Sequence, residues 1–361
     1  MIPLFLIKIN GINNIEIELN FDENKAFSII EDQMNINTTH YRIPGTQGRE
    51  DCAKYFISKF QQLSSNFTYI LHNFTVDSVE CQNVLFKFNE NYSNILILGT
   101  HYDSRARATK DSINPDLPVP GANDGASGSA VLIELARAIY NRSDELKIQV
   151  WFLFFDAEDQ GYDESYGIPG WNWCEGSSSF IEDIDSFHNS SIENFDAMIL
   201  LDMVGGRGLK FINEQYSTSS LLNELFKVGR QLGYTSEFPV NAISTSITDD
   251  HIAFINYGIP SADLIINFWD NPIWSYHHTS EDNLSHLSNF SLEVTGRTVE
   301  QFIYNNYLNS EDEYQGNYPW KGDLNLPDTN TLIIIIVIVA IIGISTIIFS
   351  ILKKYKKSSN I

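Results

Sequence analysis

Apolar runs alternate with stretches of helical spacing between residues 26 and 310. Four short runs rich in Ile, Leu, Val and Phe have the length and composition of strands buried on both faces: residues 94–99, 148–156, 197–202 and 261–266. Residues 127–140 and 218–232 instead repeat apolar positions every three or four residues, which is typical of helices with one buried face. Strands that alternate with helices predict an α/β fold, namely a three-layer α/β/α sandwich around a mixed, mainly parallel sheet.

The hydrophobic pattern changes near the C-terminus. Residues 332–352 carry no charge and are mostly Ile, Val and Leu, and a helix of this length spans about 31 Å, close to the thickness of a bilayer core. Residues 311–331 predict an acidic stalk, and the lysines of residues 353–361 predict a cytoplasmic tail. The sequence therefore predicts one C-terminal transmembrane helix, a single-pass membrane protein and an extracellular N-terminal domain.

The rest of the chain divides into a short N-terminal segment and one domain. Residues 1–25 form an N-terminal segment without a clear signal peptide, because the apolar stretch is short and Lys8 follows it. The route of export is therefore open, and insertion by the tail with a cytosolic domain is the alternative. Residues 26–310 contain no internal repeat and no long linker, so we assign them to one domain.

Composition and charge exclude some classes of function. The chain has 46 acidic and 23 basic residues and therefore a net charge of −23. This charge excludes general electrostatic binding to nucleic acid, which requires clustered Lys and Arg. With 43% hydrophobic residues, a well-buried core is feasible. Three cysteines are too few for a disulfide-built scaffold, and a pair between Cys52 and Cys81 stays an open alternative.

Potential metal ligands follow the predicted strands and recur further along the chain. They are His101, Asp103, Asp124, Glu158, Asp159, Asp202, Asp249, Asp250, His251, His277 and His278. Taken alone, an Asp before a helix is usually an N-cap and a His in a loop is usually a surface residue. As a set they indicate a metal site. The carboxyl ends of the strands line one crevice, and the charge of carboxylates buried there has to be compensated. A divalent ion supplies it, and His with carboxylate ligands suits zinc.

The motifs in residues 100–104, 120–128, 154–159, 201–205 and 278–279 resemble those of the zinc peptidases of family M28. The resemblance implies the phosphorylase/hydrolase-like α/β/α sandwich. It implies that Asp124, Asp159 and His278 ligate one zinc ion. In members with two ions, Asp124 bridges, and His101 and Asp202 would hold the second. Glu158 would be the general acid/base. One departure is Asp159, where most members carry the longer Glu.

Two local features are similar to the glutaminyl cyclases of the same superfamily. A long insert, residues 160–175, contains Trp171 and Trp173, and residues 249–254 resemble the Asp-Asp-His segment of cyclases. Residues 123–128 are closer to a general peptidase, and His277 stands where animal cyclases have a Trp that packs on the substrate. We expect Trp171, Trp173 and His277 to bind substrate; ordinary surface packing is the alternative for both tryptophans.

The function predicted from these features is a membrane-anchored zinc enzyme that acts on peptide or protein N-termini. Conversion of N-terminal Gln to pyroglutamate is favoured, with one zinc ion rather than two. Asp202 and Asp250 would form with Glu158 a carboxylate network that holds the substrate amine. The alternatives are an aminopeptidase and a catalytically inactive binding domain; the intact ligand set argues against the latter. No nucleic-acid partner is expected.

Overall fold

The structure is a computed structural model that describes residues 18–36, 41–162, 168–308 and residue 320. The chain divides into two units, Met1–Lys321 and Gly322–Ile361, and every described residue lies in the first. The described helices are α1 (Glu23–Asn35), α2 (Gln47–Leu63), α3 (Ala126–Tyr140), α4 (Glu175–Glu182), α5 (Ser219–Gln231), α6 (His251–Tyr257) and α7 (Asn289–Tyr307). The described strands are β1 (Thr68–Val76), β2 (Val79–Phe88), β3 (Asn94–His101), β4 (Gln149–Phe155), β5 (Asn194–Asp202), β6 (Asn213–Glu214), β7 (Ser244–Thr245) and β8 (Ser261–Ile265).

The main sheet has six strands in the order β1-β2-β4-β3-β5-β8. Strands β4, β3, β5 and β8 run parallel, whereas β1 and β2 form an antiparallel hairpin at one edge. The parallel block consists of the four strands predicted from apolar runs, and α3 and α5 coincide with the two predicted helices. The predicted mixed, mainly parallel sheet is therefore confirmed.

Side chains alternate between the two faces of the sheet, so two cores form. In β3, Leu96 and Leu98 join the larger core under α1, α2, α3 and α7. Ile95 and Ile97 point to the other face and pack with Phe180 of α4 and other residues. Because fully buried strands need cover on both sides, the result is the predicted three-layer sandwich.

Two N-terminal helices complete the larger core. Phe60 of α2 stacks on Phe86 of β2 with ring centroids 3.8 Å apart, and Phe56 lies 4.6 Å from Phe154 of β4. These aromatic pairs attach α2 to the sheet where the hairpin joins the parallel block. The sequence did not predict α1, α2 or the β1–β2 hairpin.

The predicted transmembrane helix is wrong for the structure that is described. No helix in the described ranges is both long enough and apolar enough to cross a membrane. The longest of them, α7, has 19 residues and includes Glu293, Arg297 and Glu300, whereas a span needs about 20 mostly apolar residues. Residues 332–352, on which the prediction was made, lie outside the described residues, as do the tail and, except for Trp320, the stalk.

The three cysteines are all buried and unpaired. Cys52 lies in α2 and contacts the side chain of Gln33 at 3.8 Å, whereas Cys81 lies in β2 and packs with Trp171. The pairing of Cys52 with Cys81 that the sequence left open does not occur in the structure.

Candidate active site

The parallel strands deliver the predicted ligands to one edge of the sheet. His101 is the last residue of β3, Asp202 is the last residue of β5, and Glu158 and Asp159 follow β4 by three and four residues. Asp124 lies just before α3. Since neighbouring parallel strands end at the same edge, residues far apart in sequence meet there, as predicted.

Close packing at Gly125 brings Asp124 against β3. A Cβ at this position would lie 2.5 Å from the carbonyl oxygen of His101 and 2.6 Å from its ring, so any larger residue would push α3 away from the strand. The carboxylate of Asp282 accepts hydrogen bonds from the backbone N–H groups of Asn123 (2.9 Å) and Asp124 (3.0 Å). The loop that carries Asp124 is therefore fixed from both sides.

Two of the predicted primary ligands, Asp124 and Asp159, each place a carboxylate oxygen near the third, His278, but Asp159 is in none of the groups of three or more ligand atoms that lie within 4.8 Å of one another among the described residues. His278 Nε2 lies 2.9 Å from Asp159 Oδ1 and 3.9 Å from Asp124 Oδ2. Two ligand atoms of a tetrahedral zinc ion are about 3.3 Å apart, given bonds of roughly 2.0 Å. The observed distances lie on either side of that value.

Unsatisfied oxygens show that these residues fit a cation. Within the described part of the chain, Asp124 Oδ2 and Asp159 Oδ2 are buried and have no hydrogen-bond partner. Buried carboxylate oxygens without a partner are costly, and a divalent ion would remove that cost. Burial and the nearby cations of Arg105 and Lys110 also lower the pKa of His278 well below its usual range, which keeps the imidazole neutral and able to ligate.

The residues predicted for a second ion also meet. Ligand atoms of His101, Asp124 and Asp202 lie within 4.8 Å of one another, and His101 Nε2 is 3.0 Å from both Asp124 Oδ1 and Asp202 Oδ1. A further group joins Asp124 and His278 with His277. The structure therefore offers more ligand atoms around Asp124 than one ion needs.

Asp103 holds the segment that carries Glu158 and Asp159 in place, a role that the sequence did not reveal. Its carboxylate accepts hydrogen bonds from the backbone N–H groups of Glu158 (3.1 Å) and Asp159 (3.2 Å) and from Gln160 Nε2 (2.8 Å). It also faces His101 Nδ1 at 3.4 Å. Its position two residues after a predicted ligand was the available signal, because metal-binding histidines commonly hydrogen-bond a carboxylate.

Several residues at the same edge of the sheet have strained backbone conformations. Ala157, Met203 and His278 have φ angles of 59°, 49° and 57°, in the left-handed region that residues other than Gly avoid. Each lies at or beside a predicted ligand or catalytic residue. Such conformations persist where the surrounding structure fixes side chains in functional positions.

Glu158 has the environment of a group that can carry a proton. Burial, reinforced by the charges of Asp249 and Asp159, raises the pKa of Glu158 well above its usual range. Its carboxylate lies 3.9 Å from His101 Nδ1 and 3.5 Å from Cys174 Sγ. The predicted general acid/base therefore lies beside the ligands.

The structure brings Asp249 to the site instead of its neighbour Asp250. Asp249, Asp202 and Glu158 line a cavity of about 530 Å³, whereas Asp250 is completely buried and does not line it. Burial and the charge of Asp202 raise the pKa of Asp249 to about 7. The role predicted for Asp250 thus suits Asp249 by position.

The two tryptophans of the insert have different surroundings. Trp173 lines the cavity and stacks on His278, with ring centroids 5.8 Å apart and planes 10° apart. A Cβ on Gly161 would lie 2.3 Å from the Trp173 ring, so this glycine makes room for the indole. Trp171 is buried against Cys81 and Ala157 and does not line the cavity. Of the predicted substrate-binding residues, Trp173 and His277 face the cavity.

Arg105 positions Asp159, the predicted zinc ligand whose side chain is shorter than the Glu of most family members. Its Nη1 donates to Asp159 Oδ1 at 3.0 Å and to the Asp159 carbonyl oxygen at 2.6 Å, and its guanidinium lies 4.8 Å from the centre of the Trp173 ring. One carboxylate oxygen is thereby fixed and Oδ2 is left free. Arg105 therefore orients an Asp that reaches less far than Glu.

We expect Arg105→Gln to weaken zinc binding by about 10- to 100-fold, the usual cost of losing a partner of a metal ligand. Competition with a chromogenic chelator measures this affinity. Arg105→Lys is the matched variant: it keeps the charge but not the two-point grip, and should restore only part of the affinity. Unchanged affinity in Arg105→Gln would contradict the orienting role.

The chain is similar to a known protein family and to individual enzymes. Residues 83–303 match peptidase family M28. The chain is 24% identical over 289 residues to glutaminyl-peptide cyclotransferase of Bos taurus, covering 73% of this chain and 77% of that protein. It is 26% identical over 221 residues to aminopeptidase YwaD of Bacillus subtilis, covering 60% of this chain but 42% of that protein.

Two solved structures are similar to the fold. A Zn-dependent exopeptidase from Parabacteroides distasonis has a TM-score of 0.70 and 29% identity, covering 79% of this chain and 99% of its own. The glutaminyl cyclase of Bacteroides thetaiotaomicron has a TM-score of 0.70 and 28% identity, covering 80% and 99%. With its matched residues making up more than half of its length, the chain belongs to peptidase family M28 and is an enzyme.

Proposed function

We propose that this enzyme is a glutaminyl-peptide cyclotransferase, which converts an N-terminal Gln to pyroglutamate and releases ammonia. The observation that carries the proposal is the aromatic wall over the carboxylates: Trp173 stacks on His278, and Phe268 stacks on Trp269 with ring centroids 3.7 Å apart. All four side chains line the same cavity. The similarity to cyclases from Bos taurus and Bacteroides thetaiotaomicron supports it.

The reaction joins the α-amine nitrogen of the substrate to its own γ-carbonyl carbon and breaks the bond to the side-chain nitrogen. A zinc ion held by Asp124, Asp159 and His278 would supply Lewis-acid polarisation of that carbonyl. Glu158 accepts the proton that the amine loses and returns it to the departing ammonia. Its raised pKa suits this exchange, because the carboxyl group can hold the proton between the two steps.

Asp202 and Asp249 hold the amine in place. Burial raises the pKa of Asp202 to about 6, although the hydrogen bond from His101 acts to lower it. The pKa of Asp249 is raised to about 7. In neutral solution Asp202 is mostly ionised and Asp249 about half ionised; in mildly basic solution both are ionised and can accept hydrogen bonds from the amine. Together with Glu158 they form the carboxylate network predicted from sequence, with Asp249 in the place of Asp250.

The aromatic wall matters because cyclisation and hydrolysis compete for the same carbonyl. Ring closure requires the Gln side chain to fold back on its amine, and a closely fitting pocket favours that conformation and excludes water. Trp173 contacts both His278 and the guanidinium of Arg105, and these contacts help to fix the position of its ring. This geometry favours the intramolecular reaction.

Aminopeptidase activity is the second candidate. The observation that favours it is the convergence of His101, Asp124 and Asp202, which would accommodate a second ion. The similarity to aminopeptidase YwaD points the same way. We propose one zinc ion, because among the predicted ligands the buried carboxylate oxygens without a hydrogen-bond partner, Asp124 Oδ2 and Asp159 Oδ2, both belong to the primary set.

The two activities leave different products. We expect the purified, zinc-loaded enzyme to convert a Gln-Phe-Ala peptide to a product about 17 Da lighter and to release ammonia, because ring closure expels the side-chain nitrogen. A Leu-Phe-Ala peptide should stay intact. Mass spectrometry and an ammonia assay measure the products. Release of free Leu from the second peptide, with the Gln peptide uncyclised, would overturn the proposal in favour of the aminopeptidase.

A further inference from the structure

Lys110 is unusual among the residues that line the active-site cavity. The lining includes five carboxylate side chains, those of Asp124, Glu158, Asp159, Asp202 and Asp249. Among the described residues that line the cavity, Lys110 is the only Lys or Arg. The chain as a whole carries a charge of −23. Lys110 therefore places a positive charge at a cavity whose lining is otherwise rich in carboxylates.

The ammonium group of Lys110 has no carboxylate partner. Its Nζ lies 2.7 Å from His277 Nδ1 and 5.5 Å from the centre of the Phe268 ring. In the described part of the chain no carboxylate oxygen lies within 4.0 Å of it. An ammonium has three donors, and the hydrogen bond to His277 uses one. The remaining donors are free to bind a ligand.

The chain holds Lys110 in place. Its backbone N–H donates to the carbonyl oxygen of His278 at 3.1 Å. The next residue, Asp111, accepts a hydrogen bond of 2.5 Å from Ser280 Oγ. The loop is thus tied at two successive residues to the segment that carries His278, which fixes the backbone of Lys110, and the hydrogen bond to His277 directs its ammonium to the cavity.

Lys110 lies at the rim of the cavity. The carboxylates and His278 at its base are buried, whereas Lys110 and Trp269 are exposed. The reacting residue of a peptide must reach the base, so the side chain that meets the rim belongs to the next residue. Bound zinc would neutralise Asp124 and Asp159, the carboxylates whose charge acts on Lys110 through space.

We propose that Lys110 is a specificity-determining residue that selects peptides with an acidic side chain at the second position. This inference rests on the proposed function for the identity of the first residue. The carboxylate of Glu or Asp at the second position pairs with the free donors of Lys110, while Phe268 covers the methylene groups. A Lys or Arg at that position is disfavoured by repulsion.

The test compares amidated peptides that differ only at the second residue: Gln-Glu-Ala-Ala, Gln-Gln-Ala-Ala and Gln-Lys-Ala-Ala. The terminal amide removes the other carboxylate. We expect kcat/KM for the Glu peptide to exceed that for its neutral isostere by about 3- to 10-fold at low salt, and the ratio to shrink at high salt. The overall negative charge of the enzyme would by itself give the opposite order.

Variants assign the effect to one residue. Lys110→Gln should bring the Glu-to-Gln ratio to one or below, because the remaining charge of the cavity is negative, and Lys110→Glu should favour the Lys peptide. Lys227→Gln is the matched control, because Lys227 lies on α5 and pairs with Glu224 at the surface. Equal rates for the three peptides with the unmodified enzyme, or an unchanged ratio in Lys110→Gln, would overturn the proposal.

Failure of the proposed function gives a different result. If no Gln peptide is cyclised and Leu peptides are hydrolysed, the cyclase proposal fails. Amidated Leu-Glu-Ala-Ala and Leu-Gln-Ala-Ala then test Lys110 in the same way, and a preference for Glu that Lys110→Gln removes supports the role of Lys110.

Discussion

Glu158→Gln is expected to lower kcat by about 10²- to 10⁴-fold while the enzyme keeps its zinc. The amide has nearly the size and shape of the carboxylate, so the cavity should stay intact, but it cannot accept a proton and pass it on. We expect zinc to be retained because Glu158 is outside the predicted ligand set of Asp124, Asp159 and His278 and is assigned to proton transfer instead. Steady-state kinetics and zinc analysis of the same preparation measure both properties.

Glu224→Gln is the control for this substitution. Glu224 pairs with Lys227 on the surface of α5, where an exposed ion pair contributes little. This variant should match the unmodified enzyme in rate and zinc content. Loss of zinc in Glu158→Gln would mean that Glu158 is a ligand, and a rate within a few-fold of normal would exclude it as the general acid/base.

His278→Ala is expected to remove most of the bound zinc, from about one ion per chain, and nearly all activity. The substitution deletes the nitrogen ligand of the primary set and leaves two buried carboxylates, of Asp124 and Asp159, without it. Removing a ligand should weaken binding by more than the roughly 100-fold that loss of a ligand's partner costs. Metal analysis after dialysis against a weak chelator measures the change.

His188→Ala is the matched control. His188 is half-buried and belongs to none of the groups of potential metal ligands among the described residues, and its Nδ1 lies 3.0 Å from the carbonyl oxygen of Ile184. Its zinc content should be normal. If His278→Ala, shown to be folded by circular dichroism, retains its zinc, the assignment of the primary site is wrong.

The parallel strands were readable from sequence for a physical reason. A strand covered on both faces must be apolar at nearly every position, as in residues 148–156, so it stands out without alignment or structure. The edge strand β1 has no such signature, because only His72 is buried in it and its other positions are partly or fully exposed. Likewise α1 buries the polar Gln33 along with its apolar residues, which weakens its helical pattern.

The exact residues of the site were less predictable. Asp249 and Asp250 are adjacent and chemically identical, and α6 begins at His251. Which of the two carboxylates faces the cavity depends on the direction of the backbone as it enters that helix. Trp171 and Trp173 pose the same problem, since two residues of one loop lie in different surroundings.

The sequence by itself determined the α/β class, the four parallel strands, and the set of carboxylates and histidines that meets beyond their ends. It could do so because burial on both faces and polar strand ends are properties of short segments. Tertiary structure alone decided which residues orient that set: Arg105 on Asp159, Asp103 behind two backbone N–H groups, and Lys110 at the rim. These contacts join segments that are far apart in sequence, and their geometry depends on how the loops pack after the sheet has formed.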